Sequence, residues 1–308
     1  MEDLFNNPEI NDLSDLVHAG RSVAFIGSGL SMGEYISWGD LVKQLCDACG
    51  VDMDANNVDA GLLELAEQAK NASPNEYYRV LSEEFGKEGV HMPPGYRYLL
   101  ESPFNAYITV NYDPLLAEAS RFKSLTLYDF KLGLDASKVK DKSIFYIHGY
   151  VEEGGQVADG DLILTSEDFE HNYEHAGAII PSFLTQVLSF KPIVFIGCGL
   201  QEPALKKILG LCSLIKSRIE ERSGNNGPTH YILLPTLYTK VAEDKKPERN
   251  LQKEAEEDVV YDEVGIRVIR YVRNSPEDYS PVEKILKNWS KAPALKPVSA
   301  YGEGPSYD

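Results

Sequence analysis

The stretch "VAFIGSGLS", residues 23–31, opens with four apolar residues and breaks into glycine and serine where a helix could begin. A short, continuous apolar run fits a strand covered on both faces. Glycines at 27 and 29 leave room for something to come close to the backbone. Either a phosphate group reaches the backbone N–H groups there, or the turn is purely structural. "GSGLS" lacks the third glycine of the six-residue dinucleotide fingerprint, which would stand at Ser31 or Met32. Both readings therefore stay open until the rest of the chain is read.

Outward from this turn, further β-type runs are "AYITVNYD" (106–113), "SIFYIHGY" (143–150), "DLILTSED" (161–168), "KPIVFIGCG" (191–199), "THYILLPT" (229–236) and "GIRVIRYV" (265–272). Helical patterns alternate with them, among them "LLAEASRF" (115–122) and "ALKKILGLCSLIKSRIEER" (204–222). This alternation predicts a parallel α/β sheet with crossover helices. Between about Gly39 and Leu100 the spacing turns helical, in "WGDLVKQLCDACG", "AGLLELAEQAK" and "NEYYRVLSEEFGK". A helical small domain is thus expected at 39–100, inserted into a sheet domain formed by 1–38 and 101–291. A second helical or irregular piece, "FEHNYEHAGAIIPSFLTQVL", falls between two strands. The charged stretch 239–260 reads as an exposed loop or helix. Residues 292–308, rich in Pro, Gly and Ser, read as a disordered tail.

The bulk numbers limit the function. The 308 residues are 43% apolar and 25% charged, the balance of a globular chain with one large domain carrying an insertion, or two modest ones. The 48 acidic residues against 30 basic ones give a net charge of −18. That field repels phosphate backbones, so direct nucleic-acid binding is not expected. A small anionic ligand held by backbone amides is still compatible with it. Four cysteines (Cys46, Cys49, Cys198, Cys212) are too few for a disulfide scaffold. Neither a secretory signal nor an apolar run of about 20 residues is visible, so a soluble cytoplasmic protein is expected.

Three strand ends carry polar chemistry. "YITVNYDPL" ends in Asn111, Tyr112 and Asp113 before a proline suited to starting a helix. Polar residues at the C-terminal end of a parallel strand stand where ligands bind in open α/β sheets. Asp113 could cap the next helix as well; Asn111 has no such duty. "FYIHGYV" puts His148 at a strand end beside Gly149, where the ring is either structural or turned to the crevice. "VFIGCGLQEP" repeats the strand–glycine turn at Gly197, Cys198 and Gly199.

Taken in order, "GSGLS", "VNYD", "IHG" and "GCGLQEP" resemble the NAD-binding signatures of the sirtuin family. "SWGDLV" and "LTSEDFEHNY" are closer to the divergent bacterial sirtuin-like domains of anti-phage defence systems. The resemblance spans about residues 15–290 and implies a Rossmann-like, doubly wound parallel sheet with a helical inserted small domain. It departs from protein-deacylating sirtuins in three ways. Only one Cys-x-x-Cys pair is present (Cys46, Cys49), so a structural Cys₄ zinc site is not expected. No Phe-Gly-Glu segment follows His148, and "GEYISW" stands where an Asp-Phe-Arg element would be.

What the resemblance implies is an NAD hydrolase releasing nicotinamide and ADP-ribose, with NAD as substrate, used to deplete NAD in an infected bacterial cell. Gly27, Ser28, Gly29 and Ser31 would hold the pyrophosphate, and Gly197, Cys198 and Gly199 the adenosine end. Asn111 would orient ribose hydroxyls or the attacking water. Asp113 would fix the Asn111 loop or bind the nicotinamide side. His148 would be the general base, its ordinary pKa of about 6.5 suiting neutral pH. The alternatives are a deacylase or mono-ADP-ribosyltransferase using the same pocket, and a non-catalytic NAD or ADP-ribose sensor. Because unrestrained NAD cleavage would kill its host, a homo-oligomer or a separate partner, an ATPase or Argonaute-like subunit, is expected to gate it.

Overall fold

The computed structural model describes residues 8–53, 61–121, 123–140, 142–200, 203–223, 229–238, 248–273, 275 and 278–291. The expected tail at 292–308 and part of the charged stretch, 239–247, lie outside them. Seven strands form one sheet: β1 (Val23–Ile26), β2 (Ala106–Thr109), β3 (Leu127–Asp129), β4 (Ser143–Tyr146), β5 (Ile193–Ile196), β6 (His230–Pro235) and β7 (Ile266–Tyr271). Their spatial order is β3-β4-β2-β1-β5-β6-β7, with every pairing parallel. Parallel neighbours need long crossovers. Helices supply most of them.

The flanking helices are α1 (Pro8–His18), α2 (Trp38–Cys49), α3 (Leu62–Ala72), α4 (Pro74–Phe85), α5 (Pro94–Glu101), α6 (Leu115–Ser120), α7 (Ser166–Phe169), α8 (Ile179–Phe190), α9 (Pro203–Ser223), α10 (Leu251–Glu263) and α11 (Ser280–Trp289). Strand alternation divides them between two faces. Ala24 and Ile26 of β1 join an apolar cluster with residues of α1–α6 and α11. Val23 and Phe25 join a second cluster with residues of α8, α9 and α10. Both faces are thus covered, which is why β1, β2, β4 and β5 read as unbroken apolar runs. The expected α/β doubly wound sheet is the observed fold.

Between β1 and β2 the described residues hold α2–α5 and no strand. α2 shows why the local sequence is helical. Leu41, Val42, Leu45 and Cys46 fall on one buried stripe. The Ser37 hydroxyl accepts the Asp40 N–H at the start, and Gly50, at φ +72°, closes the end.

Two local expectations differ. Residues 161–165 do not join the sheet. Ile163, Leu164 and Thr165 are buried, and the Ile163 N–H donates to the His148 carbonyl, so the apolar run reports burial without strand pairing. β3, only three residues long at the sheet edge, was not among the expected strands.

Register puts the chemistry on one level. Ile26 pairs with Thr109 and with Ile196, and Thr109 pairs with Tyr146. Gly27 and Gly197 therefore lie one residue beyond a common row, and Asn111 and His148 lie two residues beyond it. β1 and β5 mark the point where strand order reverses, the usual ligand crevice of such sheets.

There the two glycine turns meet each other. The Gly29 N–H donates to the Gly197 carbonyl at 3.0 Å, and the Gly27 N–H to the Ile196 carbonyl at 3.0 Å. A Cβ on Gly27 would stand 2.5 Å from the Gly197 oxygen, and one on Gly29 would stand 2.8 Å from Gly197 Cα and from the Tyr279 ring. Gly197 itself has φ +68°. Gly197→Ala is expected to lose about 1–3 kcal/mol from the left-handed backbone alone. Gly27→Ala, which has an ordinary φ, is expected to lose a similar amount by overpacking. Thermal or urea unfolding of both variants without ligand measures this.

Candidate active site

Asn111 enters the site through Thr109, the last residue of β2. The Thr109 hydroxyl donates to the Ile26 carbonyl at 3.1 Å and accepts the Asn111 N–H at 3.1 Å. From there the Asn111 amide nitrogen donates to Ser31 Oγ at 3.1 Å and to the Tyr96 hydroxyl at 3.4 Å. Ser31 Oγ donates to Asp113 Oδ2 at 2.7 Å and lies 2.6 Å from the Tyr96 hydroxyl. Ser31, Tyr96, Asn111 and Asp113 are all buried. Three of the expected site residues thus form one polar cluster, joined by Tyr96 from α5.

Asp113 has two duties. Its Oδ1 accepts the Leu115 N–H at 3.1 Å, fastening the entry to α6, while Oδ2 faces the cluster. Burial pushes its carboxyl pKa up, against hydrogen bonds from Ser31, Leu115 and Asn111 that pull it down. The other side of Asn111 is bare: Oδ1 is buried with no hydrogen-bond partner among the described residues. Buried acceptors are almost always satisfied, so this oxygen is open to a donor from outside the protein, a water or a ligand.

His148 differs from expectation in its electrostatics. It is 1% exposed, and its Nε2 lies 2.7 Å from the Tyr173 hydroxyl. Phe169 and Tyr173 present their edges to its ring, and Tyr112 stacks on it at 6.4 Å. Burial lowers its pKa to about 3, so the imidazole is neutral throughout the physiological range instead of titrating at its ordinary value. Tyr173 belongs to a π-helical turn, Glu170–Glu174, that continues α7. Such turns recur at functional sites.

The glycine turns are already engaged within the protein. The N–H groups of Gly27, Gly29, Leu30 and Ser31 all donate to backbone carbonyls, while Ser28 is exposed at the tip. Cys198 is buried and its thiol donates to the Phe25 carbonyl at 3.4 Å; the Gly199 carbonyl accepts the Tyr261 hydroxyl at 3.1 Å. Leu200, next in the chain, has φ +44°, a strained value for a branched side chain. The close approach that requires glycine at 27 and 29 is therefore that of the second turn and Tyr279.

Sequence reading missed Tyr35, Tyr96, Tyr173 and Tyr279. Tyr96 is brought to Ser31 from 65 positions away, Tyr173 to His148 from 25, and Tyr279 to Gly29 from the start of α11, while Tyr35, four residues past Ser31, falls on neither a strand end nor a glycine turn. Cysteines are dispersed: Cys46 donates to the Leu65 carbonyl and Cys49 to the Ser73 carbonyl, on the α2–α3 side, away from Cys198 and Cys212. Among the described residues, no group of three or more His, Cys, Asp or Glu could hold a metal ion. No helix of the described residues is long and apolar enough to cross a membrane.

The chain is 26% identical over 207 residues to the NAD(+) hydrolase ThsA of Enterococcus faecium, covering 65% of this chain and 41% of that protein. It is 25% identical over 230 residues to the NAD(+) hydrolase ThsA of Bacillus cereus (strain MSX-D12), covering 73% and 45%. The chain thus spans less than half the length of these curated relatives. The family model described as a SIR2-like domain matches residues 105–260, half of the chain, and takes in Asn111, Asp113, His148 and the second glycine turn. With a seven-stranded parallel sheet carrying those residues at its C-terminal edge, the chain belongs to the SIR2-like family.

Proposed function

We propose that the chain hydrolyses NAD to nicotinamide and ADP-ribose. The observation that carries this reading is the level placement of Asn111 and His148, each two residues past the paired ends of β2 and β4 and joined through the Tyr112 ring. In the reaction the bond between ribose C1′ and the pyridinium nitrogen breaks. Its electron pair goes to the ring, so nicotinamide leaves neutral and needs no acid. A water oxygen bonds to C1′ and its proton is released. The site's task is to steady a cationic ribose carbon and to aim the water.

Asn111 Oδ1 accepts from a ribose hydroxyl or from that water, which supplies its absent donor. His148, neutral, acts as a second acceptor on the same face. Asp113 puts a carboxyl beside the positive ring, while Ser31 and the exposed tip at Ser28 meet the phosphate side. Gly27, Gly29, Gly197, Cys198 and Gly199 shape this wall chiefly by letting the two turns lock together. The helical insertion, 39–100, closes the other wall through Tyr96.

The Tyr173–His148 contact supports gating. With that hydroxyl on Nε2, the imidazole is covered, so substrate access requires the Glu170–Glu174 turn to move. Assembly into an oligomer or a defence partner acting on this turn would supply the trigger in the bacterial cytoplasm. Depletion of NAD during phage infection is the role this gating suits.

The test is nicotinamide release from NAD with and without an acyl-lysine peptide, followed by chromatography. Release that is independent of peptide, with ADP-ribose as co-product, is expected. Release only with peptide, giving O-acyl-ADP-ribose, would replace the hydrolase reading with a deacylase one.

A further inference from the structure

One length of chain carries both His148 and its cover, and it is fastened to the helical insertion. From His148 to Tyr173 the backbone runs along α4 and then α3. The Gly154 N–H donates to the Gly86 carbonyl at 2.7 Å, and the Val157 N–H to Ser82 Oγ at 2.8 Å. Asp159 Oδ1 accepts the Tyr78 hydroxyl at 2.8 Å and lies 2.8 Å from Lys70 Nζ. At α7 the fastening is tightest. Glu67 Oε2, from α3, accepts the Ser166 hydroxyl at 2.5 Å and the Glu167 N–H at 2.7 Å.

A helix of four residues cannot hold its place by its own turns, so α7 depends on these outside bonds. Its capping box adds to them. Asp168 Oδ2 accepts the Thr165 N–H at 3.0 Å, while Oδ1 lies 3.6 Å from Lys70 Nζ. The Asn172 side-chain amide donates to the Asp168 carbonyl at 2.8 Å, which ties the π-helical turn to α7. The cover on His148 follows from this. Phe169, the last residue of α7, meets the His148 ring edge-on at 5.2 Å and stacks on Tyr173 at 5.3 Å. Beside the turn lies a cavity of about 760 Å³, bordered by Lys70, Asp168, Glu170, His171 and His175 among others. A turn released from its anchor therefore has open volume to move into.

We propose that Glu67 is a positioning residue of the gate: by holding Ser166 and Glu167 at the start of α7, it keeps Phe169 and Tyr173 over His148. This rests on the NAD-cleaving reading above. It places the handle of the gate on the insertion, so that a shift of α3 uncovers the imidazole without any contact at the turn itself.

The experiment compares wild type with Glu67→Ala, with Glu67→Gln, whose amide oxygen still accepts both donors, and with Ser166→Ala, which removes one bond from the other side. Melting temperatures check that each is folded. Two rates are read: nicotinamide release from NAD, and carbethoxylation of His148 by diethyl pyrocarbonate at pH 7, followed by peptide mass spectrometry. The neutral imidazole is the form that reacts, so the second rate follows the fraction of time His148 is uncovered. His230, buried at the opposite end of the sheet, reports general loosening. Glu67→Ala is expected to raise both His148 modification and NAD cleavage about tenfold, the size of one lost hydrogen bond to a charged group. Ser166→Ala should move both in the same direction by less, Glu67→Gln should stay near wild type, and His230 should not change. Unaltered His148 reactivity in the folded alanine variants, or a rise shared by His230, would overturn the assignment. So would faster modification with wild-type cleavage that does not rise, and in each of these cases the hydrolase reading stands. If His148 is uncovered as expected and no protein cleaves NAD, the positioning role stands and the hydrolase reading falls.

Discussion

Asn111→Ala is expected to lower NAD cleavage by about 10²–10³, the usual cost of losing one positioned polar group in an active site. The loss falls on kcat because the orphaned Oδ1 contributes most when charge builds on the ribose. Truncation also releases the hydrogen bonds to Ser31 and Tyr96, at a cost of about 1–2 kcal/mol in stability. Calorimetric NAD binding and thermal melting separate the two effects. Asn111→Asp is the sharper probe. It keeps the size and removes the amide donor, but sets a second carboxyl in the buried cluster of Asp113, where the pair can ionise only singly at neutral pH. Near wild-type turnover from either folded variant would remove Asn111 from the site.

His148→Ala is expected to cost a comparable factor, and pH separates its role from that of an ordinary histidine base. A base with the unperturbed pKa of about 6.5 would cost kcat/KM about thirtyfold at pH 5. With the pKa at about 3, the neutral form persists, and the profile is expected to be flat from pH 8 to pH 5. Stability carries the opposite sign. The folded state binds its proton only near pH 3, whereas the unfolded chain takes one up near 6.5. Stability is therefore complete above 6.5 and falls as pH drops toward 3. Between pH 7 and pH 5 this amounts to about 2 kcal/mol. His230, whose pKa burial lowers to about 4, adds a loss of the same sign. Urea unfolding of wild type and His148→Ala at both pH values should show the variant losing less. An acid limb near pH 6.5 in kcat/KM would restore the titrating base.

The sheet was legible because its central strands are buried on both faces, so each appears as an apolar run cut off by a polar or glycine residue. That pattern yielded β1, β2, β4 and β5, and with them Asn111, Asp113 and His148. It misread 161–165, whose apolar residues are buried without strand pairing, and it passed over β3, too short to show an alternation. The cluster's other half was hidden for a different reason. Tyr96 comes from α5, and only the folded backbone brings it to Ser31, 65 positions away, while Ser31 itself reaches Asp113 across 82 positions. The protonation of His148 could not be read either, because its pKa follows from the rings of Tyr112, Phe169 and Tyr173 around it.

The interlocked glycine turns bear on how relatives of this protein should be sorted. Gly27, Gly29 and Gly197 are required by one another's backbones, so a relative without the proposed NAD cleavage would still be under pressure to keep them. Asn111 Oδ1 has no partner among the described residues, so a replacement that keeps the hydrogen bonds to Ser31 and Tyr96 but alters that oxygen costs the fold little once the proposed chemistry is abandoned. A lineage of silent paralogues should therefore carry intact "GSG" and "GCG" turns beside altered strand ends. Glycines alone would count such silent relatives as working enzymes; the residue after "ITV" is the one that tells them apart.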